Sequence, residues 1–69
     1  MVTIIELVTE SNISWKDAVN KAVNEATLHY GKVSGIEILN WTADVKNGRI
    51  VEYKVNVNVA IVDTAHDDM

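Results

Sequence analysis

Residues 50–62, I-V-E-Y-K-V-N-V-N-V-A-I-V, alternate with hardly a fault, and this constrains the fold more than any other stretch. Val51, Tyr53, Val55, Val57, Val59 and Ile61 share one parity, while Glu52, Lys54, Asn56 and Asn58 share the other. Period two is the signature of a strand with one apolar face and one polar face. At about 3.4 Å per residue such a strand spans roughly 44 Å. Whatever covers its apolar face must be long, or must be supplied more than once.

The matching cover is the stretch from Ser14 to Gly31. Trp15, Ala18, Val19, Ala22, Val23, Ala26 and Tyr30 recur at spacings of three and four, one stripe of a helix over 15–30. Lys16, Asp17, Asn20, Lys21, Asn24 and Glu25 fill the opposite side. Ser14 is placed to cap the first turn, with Asp17 in the acidic slot of a capping box, and Gly31 to close the C-terminal end. The alanines at 18, 22 and 26 let a sheet approach closely, with Trp15 and Tyr30 filling the two ends. This helix covers only about 24 Å at 1.5 Å per residue, so the strand overshoots it.

Val2 to Val8 reads as a first strand rich in β-branched residues. Ile4, Ile5, Leu7 and Val8 leave neither face clearly polar, which fits a face covered by a neighbouring subunit as well as it fits a short apolar edge strand. Thr9 to Ile13 and Lys32 to Ser34 read as links. A second strand over 35–45 carries a parity conflict, because Ile36 and Ile38 fall opposite to Trp41, Ala43 and Val45. One extra residue near Leu39-Asn40, a β-bulge, restores the phase. Lys46-Asn47-Gly48 is the hairpin turn, read as a three-residue loop in preference to a two-residue Asn-Gly loop. The three-residue loop aligns Ala43 and Trp41 with Val51 and Tyr53. The expected fold is α+β, β-α-β-β, with a three-stranded antiparallel sheet in the order 1-3-2 wrapped around one helix.

A single domain over 1–69 is expected, with 63–69 as an acidic tail. A chain of 69 residues has a thin core. It contains no cysteine, so disulfides and thiolate metal sites are excluded, and His29 and His66 stand too far apart for a zinc spacing. Oligomerisation is the remaining means of stabilisation. A formal charge of −4 and the lack of any basic run argue against nucleic-acid binding. Neither a membrane span nor a signal peptide is evident, and a cytoplasmic location is expected. The glycosylation patterns at Asn12 and Asn40 read as accidental.

The order β-α-β-β, I-E-L-V before a Thr/Ser-rich link, S-W-K-D-A-V at the helix start, G-I-E-I opening the hairpin and N-G-R-I-V-E-Y-K-V-N-V-N-V in strand three together resemble the dodecins. The likeness covers residues 3–62. It implies a hollow homododecamer that binds or stores a small ligand of the flavin type, FMN, FAD or riboflavin. Flavin-binding dodecins stack paired isoalloxazine rings between tryptophans at the start of the second strand, helped by a glutamine in the third. Those positions correspond here to Gly35 and Lys54. The chain therefore resembles the branch that lacks the stacking tryptophan, and in which calcium binding has been associated with some members. The alternative expectation is a structural or calcium-associated shell.

Trp41 lies six residues beyond Gly35, too far along the strand to replace the lost ring within one subunit, and is assigned to core or interface packing. No catalytic constellation is present, so no enzyme is expected: Ser14 is a helix cap and His29 sits at a helix C-terminus. For a metal, the scattered carboxylates Asp63, Asp67 and Asp68, or Asp44 and Glu52, are candidates without EF-hand spacing, and solvated surface charge is the favoured reading.

Overall fold

A computed structural model describes residues 2–62. The elements follow the order β1 (Val2–Ser11), α1 (Trp15–Tyr30), β2 (Val33–Lys46) and β3 (Arg49–Val62). β3 lies between β1 and β2 and pairs antiparallel with both. The expected β-α-β-β architecture and the 1-3-2 order are present.

α1 starts and stops where its ends are written. The Ser14 side chain accepts from the Asp17 backbone N–H at 3.0 Å, and Gly31, at a φ of 95°, donates its N–H to the Thr27 carbonyl at 3.1 Å. Ala18, Ala22 and Ala26 are fully buried against Val55, Val57 and Val59 of β3, with Ile61 closing the row. Burying each of those valines is worth about 1.5–3 kcal/mol. A larger residue at any of the three alanines would lift the helix off the sheet.

The register sorts the sheet into two faces. Facing the helix are the rows Ile5–Val59–Ile36, Leu7–Val57–Ile38, Thr9–Val55–Trp41 and Ser11–Tyr53–Ala43. Facing away are Ile4–Ala60–Gly35, Glu6–Asn58–Glu37, Val8–Asn56–Asn40, Glu10–Lys54–Thr42 and the pair Glu52–Asp44. The first face has a core. The second has no covering element among the described residues, and Val2, Ile4 and Val8 stand 58%, 58% and 68% exposed on it.

The bulge expected near Leu39-Asn40 occurs, since pairing steps from Ile38↔Val57 to Asn40↔Asn56 and leaves Leu39 extra. The three-residue loop does not occur. Lys46 pairs with Arg49 around a two-residue Asn47-Gly48 turn in which both residues have positive φ, 53° and 75°. That turn sets the wrong parity, and an extra residue on β3 corrects it: Asp44 pairs with Glu52 and Val45 with Ile50, so Val51 is bulged out. Ala43 consequently meets Tyr53, and Trp41 meets Val55, each two residues further along β3 than expected.

The links are shorter than the sequence suggests. β1 continues through Thr9, Glu10 and Ser11 because β3 offers Val55, Lys54 and Tyr53 as partners. Thr9 Oγ1 donates to the Ala18 carbonyl at 2.6 Å. Ser11, 2% exposed, donates to Asp17 Oδ2 at 2.6 Å and accepts from the Ile13 N–H at 2.9 Å. β2 likewise opens at Val33, with a bulge at Ser34. Asp63, Asp67, Asp68 and the rest of the 63–69 segment lie outside the described residues.

Trp15 plugs the junction of helix and hairpin. Its ring meets Tyr53 edge-on at 4.8 Å and Trp41 at 6.4 Å, and its Nε1 donates to the Thr42 carbonyl at 2.9 Å. Tyr30 does not fill the other end. It stands 54% exposed and walls an open groove of about 340 Å³ with Thr3, Gly31, Lys32 and Ile61, because Gly31 turns the chain straight into β2. The long axis measures 56 Å, so the hairpin overhangs the helix and leaves Val45, Ile50 and Val51 exposed. No helix among the described residues is long and apolar enough to cross a membrane.

Candidate functional site

Gly35 and Lys54 lie on the same face, the one turned away from the helix. Gly35 pairs with Ala60, six residues along β3 from Lys54, so the two are roughly 20 Å apart within one chain. A single pocket that uses both positions needs more than one copy. Trp41 belongs to the opposite face and cannot serve Gly35 within one chain.

Around Gly35 the face is hollowed. Ile4, Gly35, Ile36, Glu37, Asn58 and Ala60 line an open groove of about 300 Å³. Gly35 has no positive φ, and a Cβ added there would meet nothing within 4 Å, so neither backbone nor packing demands a glycine. Along one side, Asn58 Nδ2 donates to Glu37 Oε1 at 3.3 Å.

Lys54 is not a free cation. Its ammonium stands 3.2 Å from Asp44 Oδ2, and the hydrogen bond to Asp44, followed by Asp44's charge, raises its pKa above the ordinary lysine value. Its row neighbour is Glu10, and Glu52 pairs with Asp44 next to it. Partial loss of water among the strands pushes Glu52 above the usual carboxylate range, and hydrogen bonding to and repulsion from Glu10 push in the same direction. Asn56 Oδ1, in the adjoining row, is buried with no hydrogen-bond partner among the described residues.

These residues do not fit the stacking of paired isoalloxazine rings. The aromatic surface is missing at Gly35, where the groove is empty of any ring. At Lys54 a donor-only cation, already engaged by Asp44, replaces an amide that both donates and accepts. For a metal, Asp44 and Glu52 come together as cross-strand neighbours, but among the described residues no three His, Asp or Glu side chains gather to hold an ion. Ser11 and Asn56 are polar groups that sequence reasoning passed over. Ser11 reads as a link residue, and Asn56 only as one of the polar face of the third strand.

A one-helix, three-stranded open sheet with one face packed on the helix and one uncovered among the described residues defines the class, a small α+β protein. The dodecin family profile matches residues 1–62, and the chain belongs to the dodecin family. Among solved structures it is similar to the dodecin of Streptomyces coelicolor, at 20% identity and a TM-score of 0.82 over 88% of this chain and 87% of that one. The dodecin of Streptomyces davaonensis gives 17% and 0.83 over 91% and 94%. The calcium-chelating antigen calcium dodecin of Mycobacterium tuberculosis gives 20% and 0.78 over 91% and 90%. At such identity these likenesses speak for the fold. No curated protein matches the chain.

Proposed function

We propose that the chain assembles into a hollow homododecamer that holds a small planar ligand of the flavin type without the family's tryptophan stack, and that it is a binding protein, not an enzyme. The observation that carries the reading is the sheet face turned from the helix, with Val2, Ile4 and Val8 exposed on it and the Gly35 and Lys54 positions far apart. An apolar patch of this kind is what a neighbouring copy covers. Flavin binding, typical of the family, supports the ligand class; the missing ring and the occupied Lys54 argue for a different grip.

Two measurements on the untreated protein test this. Light scattering after size exclusion should give a dodecamer, and denaturation should release an aromatic chromophore. A folded monomer would overturn the assembly. A colourless protein that leaves added riboflavin fluorescence unquenched would overturn the ligand. The second reading, a calcium-associated shell, draws on the cross-strand pair Asp44 and Glu52, with further ligands supplied by other copies, and on the similarity to the calcium dodecin. Calorimetric titration with calcium separates the two: heat with calcium and none with aromatic rings favours it.

A further inference from the structure

The row at Gly35 has a floor and an edge of different chemistry. Ile4, Ala60 and the bare backbone of Gly35 form a strip on which a flat ring can lie. The next row is Glu6–Asn58–Glu37, two carboxylates astride an amide that already donates to Glu37. Beyond it, up to the turn, the same face adds Glu10, Asp44 and Glu52 against Lys54 alone, and Lys54 is paired with Asp44. Lys46 and Arg49 sit at the far tip of the hairpin. A ring on the floor therefore meets acceptors at its edge, in the negative field of a chain whose net charge is −4.

Resting on the ligand-holding reading above, we propose that the Gly35 row selects planar heteroaromatic ligands by charge, taking a ring that is cationic or carries edge N–H donors and rejecting its phosphorylated form, with Glu37 and Glu6 as the specificity-determining residues. An edge N–H or amidinium-like group gains a charge-assisted hydrogen bond to these carboxylates. A phosphate brings two further negative charges into the same field and finds no free cation to meet it among the described residues of the face. The neighbouring copy that covers Val2, Ile4 and Val8 supplies the wall over the ring's other face.

The test is equilibrium binding of three flat rings to the assembled protein at low ionic strength, followed by fluorescence anisotropy: proflavine, a tricyclic cation; riboflavin, uncharged; and FMN, its phosphate ester. The expected order is proflavine, then riboflavin, then FMN, with at least about tenfold between the first and the last, narrowing as salt is added. Glu37→Gln should shrink the proflavine-to-FMN ratio about fivefold, the size of one charge contact a few ångströms away in a wet groove. Glu6→Gln serves as the second variant should the first fail to assemble. Gly35→Leu fills the row without altering any charge, and should abolish binding of all three. FMN binding as tightly as riboflavin, or a ratio unmoved by both glutamine variants, would overturn the charge selection while leaving the ligand-holding reading intact. Proflavine binding that survives Gly35→Leu would mean that the dye rides on surface charge, and would overturn it too. If no ring binds, the ligand-holding reading itself falls.

Discussion

Replacing Trp15 tests how the helix is fastened to the hairpin. The indole makes two edge-on aromatic contacts, at 4.8 Å to Tyr53 and 6.4 Å to Trp41, and one hydrogen bond of 2.9 Å to the Thr42 carbonyl. Each aromatic pair is worth about 0.5–1.5 kcal/mol beyond buried area, and the hydrogen bond about 0.5–1.5 kcal/mol net. Thr42 lies at the exposed β2 edge, so water replaces the lost donor and the hydrogen bond belongs at the low end of that range. Trp15→Phe, which keeps a ring against Tyr53, should destabilise by about 0.5–1 kcal/mol. Trp15→Ala should cost about 2–4 kcal/mol, below the upper limit for a fully buried tryptophan because this one is half-buried. The assay is urea unfolding followed by far-ultraviolet circular dichroism, since fluorescence changes with the residue removed. All variants must be compared at one protomer concentration, because assembly adds a mass-action term to apparent stability. A Trp15/Tyr53 double-mutant cycle should give a coupling of about 0.5–1.5 kcal/mol. Equal losses for Phe and Ala would mean that the hydrogen bond, not the ring, holds the junction. A coupling near zero would remove the aromatic junction from the account.

Further outcomes follow from other particular contacts. Ala22→Leu inserts a branched side chain where the helix packs on the buried valines of β3, and should lower stability by about 1–3 kcal/mol in the same assay, with helix content intact. Glu52→Gln should raise the melting temperature at pH 7. The folded state holds the Glu52 carboxyl above its ordinary 4.5, so it binds the proton more tightly than the unfolded chain and loses stability as pH rises through that raised value. The advantage of the variant should therefore vanish below about pH 4.5, and a difference that persists in acid would refute the assignment. Gly48→Ala places a Cβ at a φ of 75° in the turn and should cost about 1–2 kcal/mol by thermal unfolding. Gly35→Trp combined with Lys54→Gln restores both flavin-contacting residue types in a position with room for the new side chain, and should quench riboflavin fluorescence more strongly than the unchanged protein or either single variant.

What the sequence disclosed depended on whether a residue broke a pattern. Ser14 and Gly31 punctuate a periodic stretch, so the helix ends were legible. Ile36 and Ile38 clash in parity with Trp41 and Ala43, which betrayed the bulge at Leu39. The bulge at Val51 left no such trace, because valine is the residue the alternation calls for at that position, and its presence changes the turn from three residues to two. Thr9 and Ser11 are polar and read as a link. They belong to β1 because Val55 and Tyr53 lie opposite, and because the helix supplies Ala18 and Asp17 as hydrogen-bond partners, a tertiary fact that no local window contains. For the site, alternation along β3 already assigned Lys54 to the non-core face. That Gly35 shares this face was hidden by two bulges between it and the turn, and the negative field around both emerges only when Glu6, Glu10, Glu37, Asp44 and Glu52 from three strands are laid side by side.

The central claim is that the face bearing Val2, Ile4, Val8 and Gly35 is finished by other copies of the chain. Native mass spectrometry of the untreated protein across a dilution series tests it most directly. A dodecamer whose dissociation coincides with loss of circular dichroism is the predicted result. A chain that remains folded as a monomer at every concentration would contradict it.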